Sequence, residues 1–311
     1  MKTWLMPLCL LFACASLPAG AEVWQPAAGH AQIPLWPGTP PDMRAMPGPE
    51  TVKTSPDLLA GKHVTAISNV SRPTMTVYPP QGKNTGAAVV VIPGGGFEIL
   101  AIDLEGTEIC DWLTSRGITC VLLKYRVPGA PYDWRTNSRP HNYQVPTMAL
   151  EDVQRTMGLV RSRAAEWHVD PHKVGVVGFS AGGFLVAEIS THFKRLYKPV
   201  DAADKESVRP DFAMAIYPGH LALENGKLNP NVPVTSDTPP TFIVQAEDDD
   251  VDGVQQALVY FAGLKQAGVP TEMHLYAHGG HAFGVRRTDK PITRWTDLAD
   301  EWMRGLGVLP H

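Results

Sequence analysis

Gly178-Phe179-Ser180-Ala181-Gly182 is the segment of this 311-residue chain best placed to do covalent chemistry. A serine hydroxyl is a weak nucleophile until a neighbouring base takes its proton. The G-x-S-x-G spacing supplies a setting for that. The apolar run from Lys173 to Gly178 leads into the serine, and a helical stretch leads out from Gly183. A tight strand-to-helix turn lifts the hydroxyl off a sheet and aims a helix N-terminus at the reacting centre. Outside such a context the pentapeptide would be only a glycine-lined helix start.

Three other segments supply what the serine needs. Gly279-Gly280-His281-Ala282-Phe283-Gly284 follows the last predicted strand, where a base belongs; His281 is that base, and His278 is its nearest competitor. The predicted strand Thr241 to Gln245 runs into Ala246-Glu247-Asp248-Asp249-Asp250-Val251-Asp252. One carboxylate must accept from the imidazole N–H, holding its tautomer and stabilising the imidazolium. Asp249 is expected to do so, with Asp248 next, while Asp250 and Asp252 are expected to be surface or loop-bracing charges. A calcium loop would need the EF-hand glycine and glutamate spacing, which is absent. Pro93-Gly94-Gly95-Gly96-Phe97 follows a buried run, and its backbone N–H groups suit an oxyanion hole. Gly95 and then Gly94 are expected as donors, joined by Ala181. Each such donor is worth about 3–4 kcal/mol. A phosphate loop would end in GK[ST], which this one does not. This chemistry needs no metal or cofactor, and none is expected.

These residues must be held by a scaffold, and the periodicity describes one. Antiparallel strands are predicted at His63–Ile67 and Thr74–Tyr78, and buried strands at Ala87–Ile92 and Ile118–Leu123. Further strands are predicted at Lys173–Gly178, Phe212–Tyr217, Thr241–Gln245 and Glu272–Tyr276. Helical spacing covers Glu105–Arg116, Met148–Trp167, Phe184–His192, Val254–Ala267 and Trp295–Leu306. Such alternation predicts a mostly parallel sheet with helices on both faces. No repeat or composition break marks a second domain, so residues 61–311 read as one catalytic domain behind an extended arm, residues 22–60.

Residues 1–21 read as an export signal, with a charge at Lys2, an apolar run from Leu5 to Leu17 and Ala19-Gly20-Ala21 for cleavage. Leu11-Phe12-Ala13-Cys14 offers a second reading, lipidation at Cys14. The run is shorter than the roughly 20 apolar residues of a membrane span. The product is expected to be periplasmic or secreted. Removal of the signal leaves Cys110 and Cys120, which suit a disulfide or two buried thiols equally. A net charge of −4 without long charge blocks gives no electrostatic case for nucleic acid.

The chain resembles the acetyl-xylan-esterase and feruloyl-esterase-like branch of the α/β hydrolases, from about Ala87 to Phe283. The resemblance rests on Val91-Ile-Pro-Gly-Gly-Gly-Phe97, Lys124-Tyr-Arg-Val-Pro128, Leu150-Glu-Asp-Val-Gln154, Gly178-Phe-Ser-Ala-Gly-Gly183 and His274-Leu-Tyr-Ala-His-Gly-Gly-His281. It implies a single-domain α/β-hydrolase fold with the triad in the order serine, acid, histidine. The family's acid loop commonly reads Glu-Asp-Asp-Pro-Val-Val-Pro, whose second aspartate matches Asp249; here Asp250-Val251-Asp252-Gly253 replaces its end. Pro93-Gly94 likewise stands where the family has histidine-glycine. The resemblance implies removal of acetyl groups from plant polysaccharide fragments or similar small esters. Trp134, Tyr143 and the loop from His220 to Thr238 are candidates to border a sugar, and Arg126 to support the site; ordinary loop anchoring is the competing reading. No insertion suits a hydrophobic lid, so short acyl groups are expected. A true xylanase would need two carboxylates about 5–5.5 Å or 6.5–9.5 Å apart across a sugar bond, and no such pair is marked. A serine peptidase is the nearest enzymatic rival and a non-catalytic binding module the rival of another kind.

Overall fold

Strands rich in β-branched residues pair in the middle of the chain, and a computed structural model describes them within residues 23–43, 45–127 and 147–310. The export signal with Cys14, and Trp134 and Tyr143, lie outside the described residues. The strands are β1 (Gln32–Pro34), β2 (Thr51–Thr54), β3 (Thr65–Ser68), β4 (Thr74–Tyr78), β5 (Ala88–Ile92) and β6 (Ile99–Ala101). They continue as β7 (Thr119–Lys124), β8 (Val174–Phe179), β9 (Ala213–Ile216), β10 (Thr241–Ala246) and β11 (Thr271–Tyr276). The helices are α1 (Glu108–Ser115), α2 (Thr147–Ser162), α3 (Ala181–Ile189), α4 (Gln255–Gln266) and α5 (Trp295–Gly305).

The main sheet has eight strands in the order β1-β4-β7-β5-β8-β9-β10-β11. From β7 to β11 the neighbours are parallel, whereas β1 and β4 run antiparallel at one edge. Every residue of β5, β7, β8, β9 and β10 is buried. Successive side chains of a strand point to opposite faces, so burial of all of them means that both faces are covered. Because these strands are parallel, their C-terminal ends share one edge of the sheet. That edge is where ligands bind in open α/β sheets.

The N-terminal region departs from the sequence expectation. β3 and β4 are not partners: β3 joins β2 and β6 in a separate three-stranded sheet, while β4 pairs with β1 and β7. β3 buries only Ile67, whereas β4 buries Met75, Thr76 and Tyr78, which only the covered main sheet can shield. Residues 23–60 are also more than an arm, since they supply β1 and β2. Trp36 pins them down, its Nε1–H donating to buried Asp152 at 2.8 Å while the Arg126 and Arg155 guanidinium groups lie 5.8 and 5.7 Å from its ring centroid. The helix expected from Glu105 begins instead as a wide π turn over Asp103–Thr107 before α1. Cys110 on α1 and Cys120 on β7 are joined by a disulfide, resolving the alternative that sequence leaves open.

Candidate active site

β8 delivers Ser180 to the shared edge, and the next residue already belongs to α3. The turn is so tight that Ser180 sits at φ 52°, ψ −118°, a region that non-glycine residues seldom occupy. Such strain persists only where the surroundings enforce it. Here the glycines permit it: a Cβ on Gly178 would lie 2.2 Å from the Gly182 carbonyl oxygen, and one on Gly182 would lie 2.1 Å from that of Ile92. Ser180 N–H and C=O are tied to Ile216 and Gly219 on the β9 side.

β10 and β11 bring the acid and the histidine beside it. His281 Nδ1–H donates to Asp249 Oδ2 at 2.8 Å. The same carboxylate accepts from Gln245 Nε2, and from the backbone N–H groups of Val251 and Asp252. Burial raises the Asp249 carboxyl, but its hydrogen bond and charge pairing with His281, together with the Asp252 and Val251 N–H bonds, outweigh this and hold it below the usual aspartate range. The imidazole itself is lowered by burial and raised more by the Asp249 hydrogen bond and by the charges of Asp252, Asp249 and Glu105, so it titrates above an ordinary histidine. Asp248 acts elsewhere. Its Oδ1 accepts from Gly279 and Gly280 N–H at 2.8 and 2.7 Å, bracing the loop that carries His281. His278, the competing base, is exposed and reaches only Asp248.

Asp252 departs from expectation. It is not a surface charge: Ser180 Oγ donates to its Oδ2 at 3.1 Å, and that oxygen lies 3.8 Å from His281 Nε2. The serine hydroxyl is thus turned toward Asp252, beside the base that would deprotonate it.

The glycine loop after β5 folds against the nucleophile. A Cβ on Gly94 would stand 2.5 Å from Phe179 O and 2.9 Å from Ser180 Cβ. Gly95 and Ala181 N–H donate to no acceptor among the described residues, which leaves both free for an oxyanion. Gly94 must be corrected, because its N–H donates to buried Glu105 Oε2 at 2.7 Å and is already used. Sequence alone does not single out Glu105. Its other oxygen accepts from Tyr217 OH at 2.9 Å, so one carboxylate ties the glycine loop to the end of β9. Burial raises its carboxyl, opposed by the nearby His281 ring and these two hydrogen bonds. The only sequence signal is a pair of acidic residues, Asp103 and Glu105, after the apolar stretch Ile99–Ile102, which also suits a helix start. Glu105→Ala should lower kcat about 10²-fold by letting the loop shift, a typical cost of small misplacement. Glu105→Gln, which keeps one acceptor for Gly94, should lose much less; steady-state kinetics on an acetyl ester checks both.

The motifs around this core are braces. Tyr125 OH donates to Pro93 O at 2.8 Å, steadying the glycine loop. Arg126 is wholly buried, donating to Asp152, Glu151, Met148 O and Pro41 O; it ties β7 to α2 and the N-terminal segment and does not touch the triad. In the loop from His220 to Thr238, His220 packs against Phe97 and Phe184, while Leu221 and Ala222 N–H are anchored on Gln256.

A covered, mostly parallel sheet with serine, acid and histidine following β8, β10 and β11 at one edge is the α/β-hydrolase fold. Its similarities run to acetylxylan esterases and related hydrolases. The family model for BD-FAE matches residues 75–216, and that for the prolyl oligopeptidase family matches residues 219–306. An acetylxylan esterase of Xylanibacter ruminicola is 29% identical over 262 residues, covering 80% of this chain and 50% of that protein. Endo-1,4-beta-xylanase B of Butyrivibrio fibrisolvens is 26% identical over 227 residues, 67% of this chain and 34% of that one. The chain therefore spans half or less of the length of these two relatives. The crystal structure of an acetyl ester-xyloside bifunctional hydrolase from Caldicellulosiruptor lactoaceticus is 28% identical, with a TM-score of 0.68 over 90% of this chain and 97% of that chain.

Proposed function

We propose that this chain is an exported serine esterase that removes short acyl groups, chiefly acetyl, from xylan-type carbohydrate of plant cell walls. The observation that carries the chemistry is the Asp249–His281 hydrogen bond beside a strained, glycine-flanked serine. In the first step Ser180 Oγ turns from Asp252 to His281 Nε2, gives up its proton and attacks the ester carbonyl. The oxyanion is received by Gly95 and Ala181 N–H. His281 then protonates the departing sugar oxygen, leaving an acetyl-serine. Water, deprotonated by the same imidazole, releases acetate and restores Ser180.

The substrate class is supported by similarity to an acetylxylan esterase and to an acetyl ester-xyloside hydrolase. Export is supported by the composition of residues 1–21 and by the Cys110–Cys120 disulfide, a bond that persists in oxidising compartments. The prolyl oligopeptidase match favours a second reading, a peptidase, but it covers only the part of the chain that holds acid and histidine, which ester and amide hydrolysis share. The deciding measurement is acetate release from acetylated xylan, with rates on acetyl, butyryl and palmitoyl esters of one alcohol falling in that order. Faster palmitoyl turnover would overturn the short-chain reading, and cleavage of peptide anilides without acetate release would favour the peptidase.

A further inference from the structure

The Asp252 carboxylate occupies a place that the triad chemistry leaves unexplained. Its backbone is clamped from two sides: its N–H donates to Asp249 Oδ1 at 2.9 Å and its carbonyl accepts from Gln245 Nε2 at 2.7 Å. The side chain lies over Gly219, where any Cβ would come within 2.5 and 2.6 Å of the two carboxylate oxygens. Only 12% of it is exposed. Ser180 Oγ donates a hydrogen bond to this side chain, at 3.1 Å.

That bond cannot survive the reaction proposed above, on which this inference rests. To attack, Ser180 must direct its proton to His281 Nε2, and Asp252 then loses that donor. A nearly buried carboxylate that gives up a hydrogen bond without replacing it is costly, so a productive complex must supply another donor. Geometry limits where it comes from. The leaving oxygen of the ester must come to His281 Nε2, which protonates it, and Asp252 Oδ2 lies 3.8 Å from that nitrogen. An oxygen on the carbon next to the acylated one lies about one hydrogen-bond length from the leaving oxygen, which brings its hydroxyl to Asp252. We infer that Asp252 is a specificity residue that accepts a hydrogen bond from a free hydroxyl vicinal to the acylated oxygen. The enzyme thereby selects mono-esters of vicinal diols.

The sharpest test compares 2-hydroxyethyl acetate with 2-methoxyethyl acetate, whose leaving alcohols are of similar acidity and differ in the donor. The wild-type enzyme should favour the hydroxy ester about tenfold or more in kcat/KM, since a site built to bond a hydroxyl discriminates strongly against its absence. In Asp252→Ala the ratio should collapse toward one, and in Asp252→Asn, which keeps an acceptor oxygen without the charge, it should fall between. A wild-type ratio near one, with both esters hydrolysed, overturns the inference and leaves the esterase intact. So does an Asp252→Ala variant that loses the same factor on both esters, because a mere resting partner of the serine would behave that way. If neither ester is hydrolysed, the inference falls together with the esterase reading. Should Asp252→Ala fail to fold by circular dichroism, the wild-type pair and Asp252→Asn decide alone.

Discussion

Ser180→Ala is expected to lower kcat on acetyl esters by about 10⁶-fold, the scale on which removal of a triad serine acts. The backbone at this position explains why the loss should be chemical. The φ of 52° is held by close packing at Gly178 and Gly182, and neither contact involves the serine hydroxyl. Alanine accepts the same backbone no worse than serine does, so the fold should persist. Circular dichroism and thermal melting would check the fold, and acetate release the chemistry. A phosphonylating serine reagent should label Ser180 and no other serine, as read by peptide mass. Activity within about tenfold of wild type would remove Ser180 from the nucleophile role.

What is legible in the sequence follows from which signals are local. The buried strands can be read because a covered parallel strand must be apolar on both faces, as Ala88–Ile92 is. The elbow can be read because its glycines are demanded by contacts within a few residues, such as Gly178 against Gly182. His281 and Asp249 can be placed because each follows a strand of that sheet. What escapes depends on contacts distant in sequence. Glu105 meets Tyr217 across 112 positions, and nothing near either residue announces the pairing. Gly94 and Gly95 look alike as donors until the Glu105 carboxylate is seen to occupy one of them. Asp252 sits in a run of acidic residues that alternation cannot sort into inward and outward, because the turn after β10 is held by side chain-to-backbone bonds to Asp249. The separation of β3 from β4 is hidden for a related reason: short alternating strands announce pairing but not their partners.

Asp249→Asn should cost about 10⁴-fold in turnover, the penalty documented for such a change in a serine triad. The reason lies in the four hydrogen bonds that this carboxylate accepts. One oxygen faces the N–H groups of Val251 and Asp252, and the other faces His281 Nδ1 and Gln245 Nε2. In the asparagine variant, two backbone donors hold the amide oxygen on their side and turn the NH₂ toward the imidazole. Nδ1 must then act as acceptor, so the proton moves to Nε2 and the ring can no longer receive the serine proton. Neighbouring aspartates should respond differently. Asp250 is exposed and should tolerate Asn. Asp248→Asn keeps an oxygen for Gly279 and Gly280 and should cost little, and Asp252→Asn should alter substrate preference more than it lowers turnover. Near-wild-type turnover in Asp249→Asn would remove Asp249 as the acid that orients His281. The pH profile is a second check on that role. Burial lowers the His281 pKa, and Asp249 is the largest influence raising it, so neutralising Asp249 should move the acid limb of the residual activity to lower pH. The base must be neutral to act, so activity in the wild type is lost as pH falls through the raised His281 pKa, above the ordinary 6.5, and in the variant only further down.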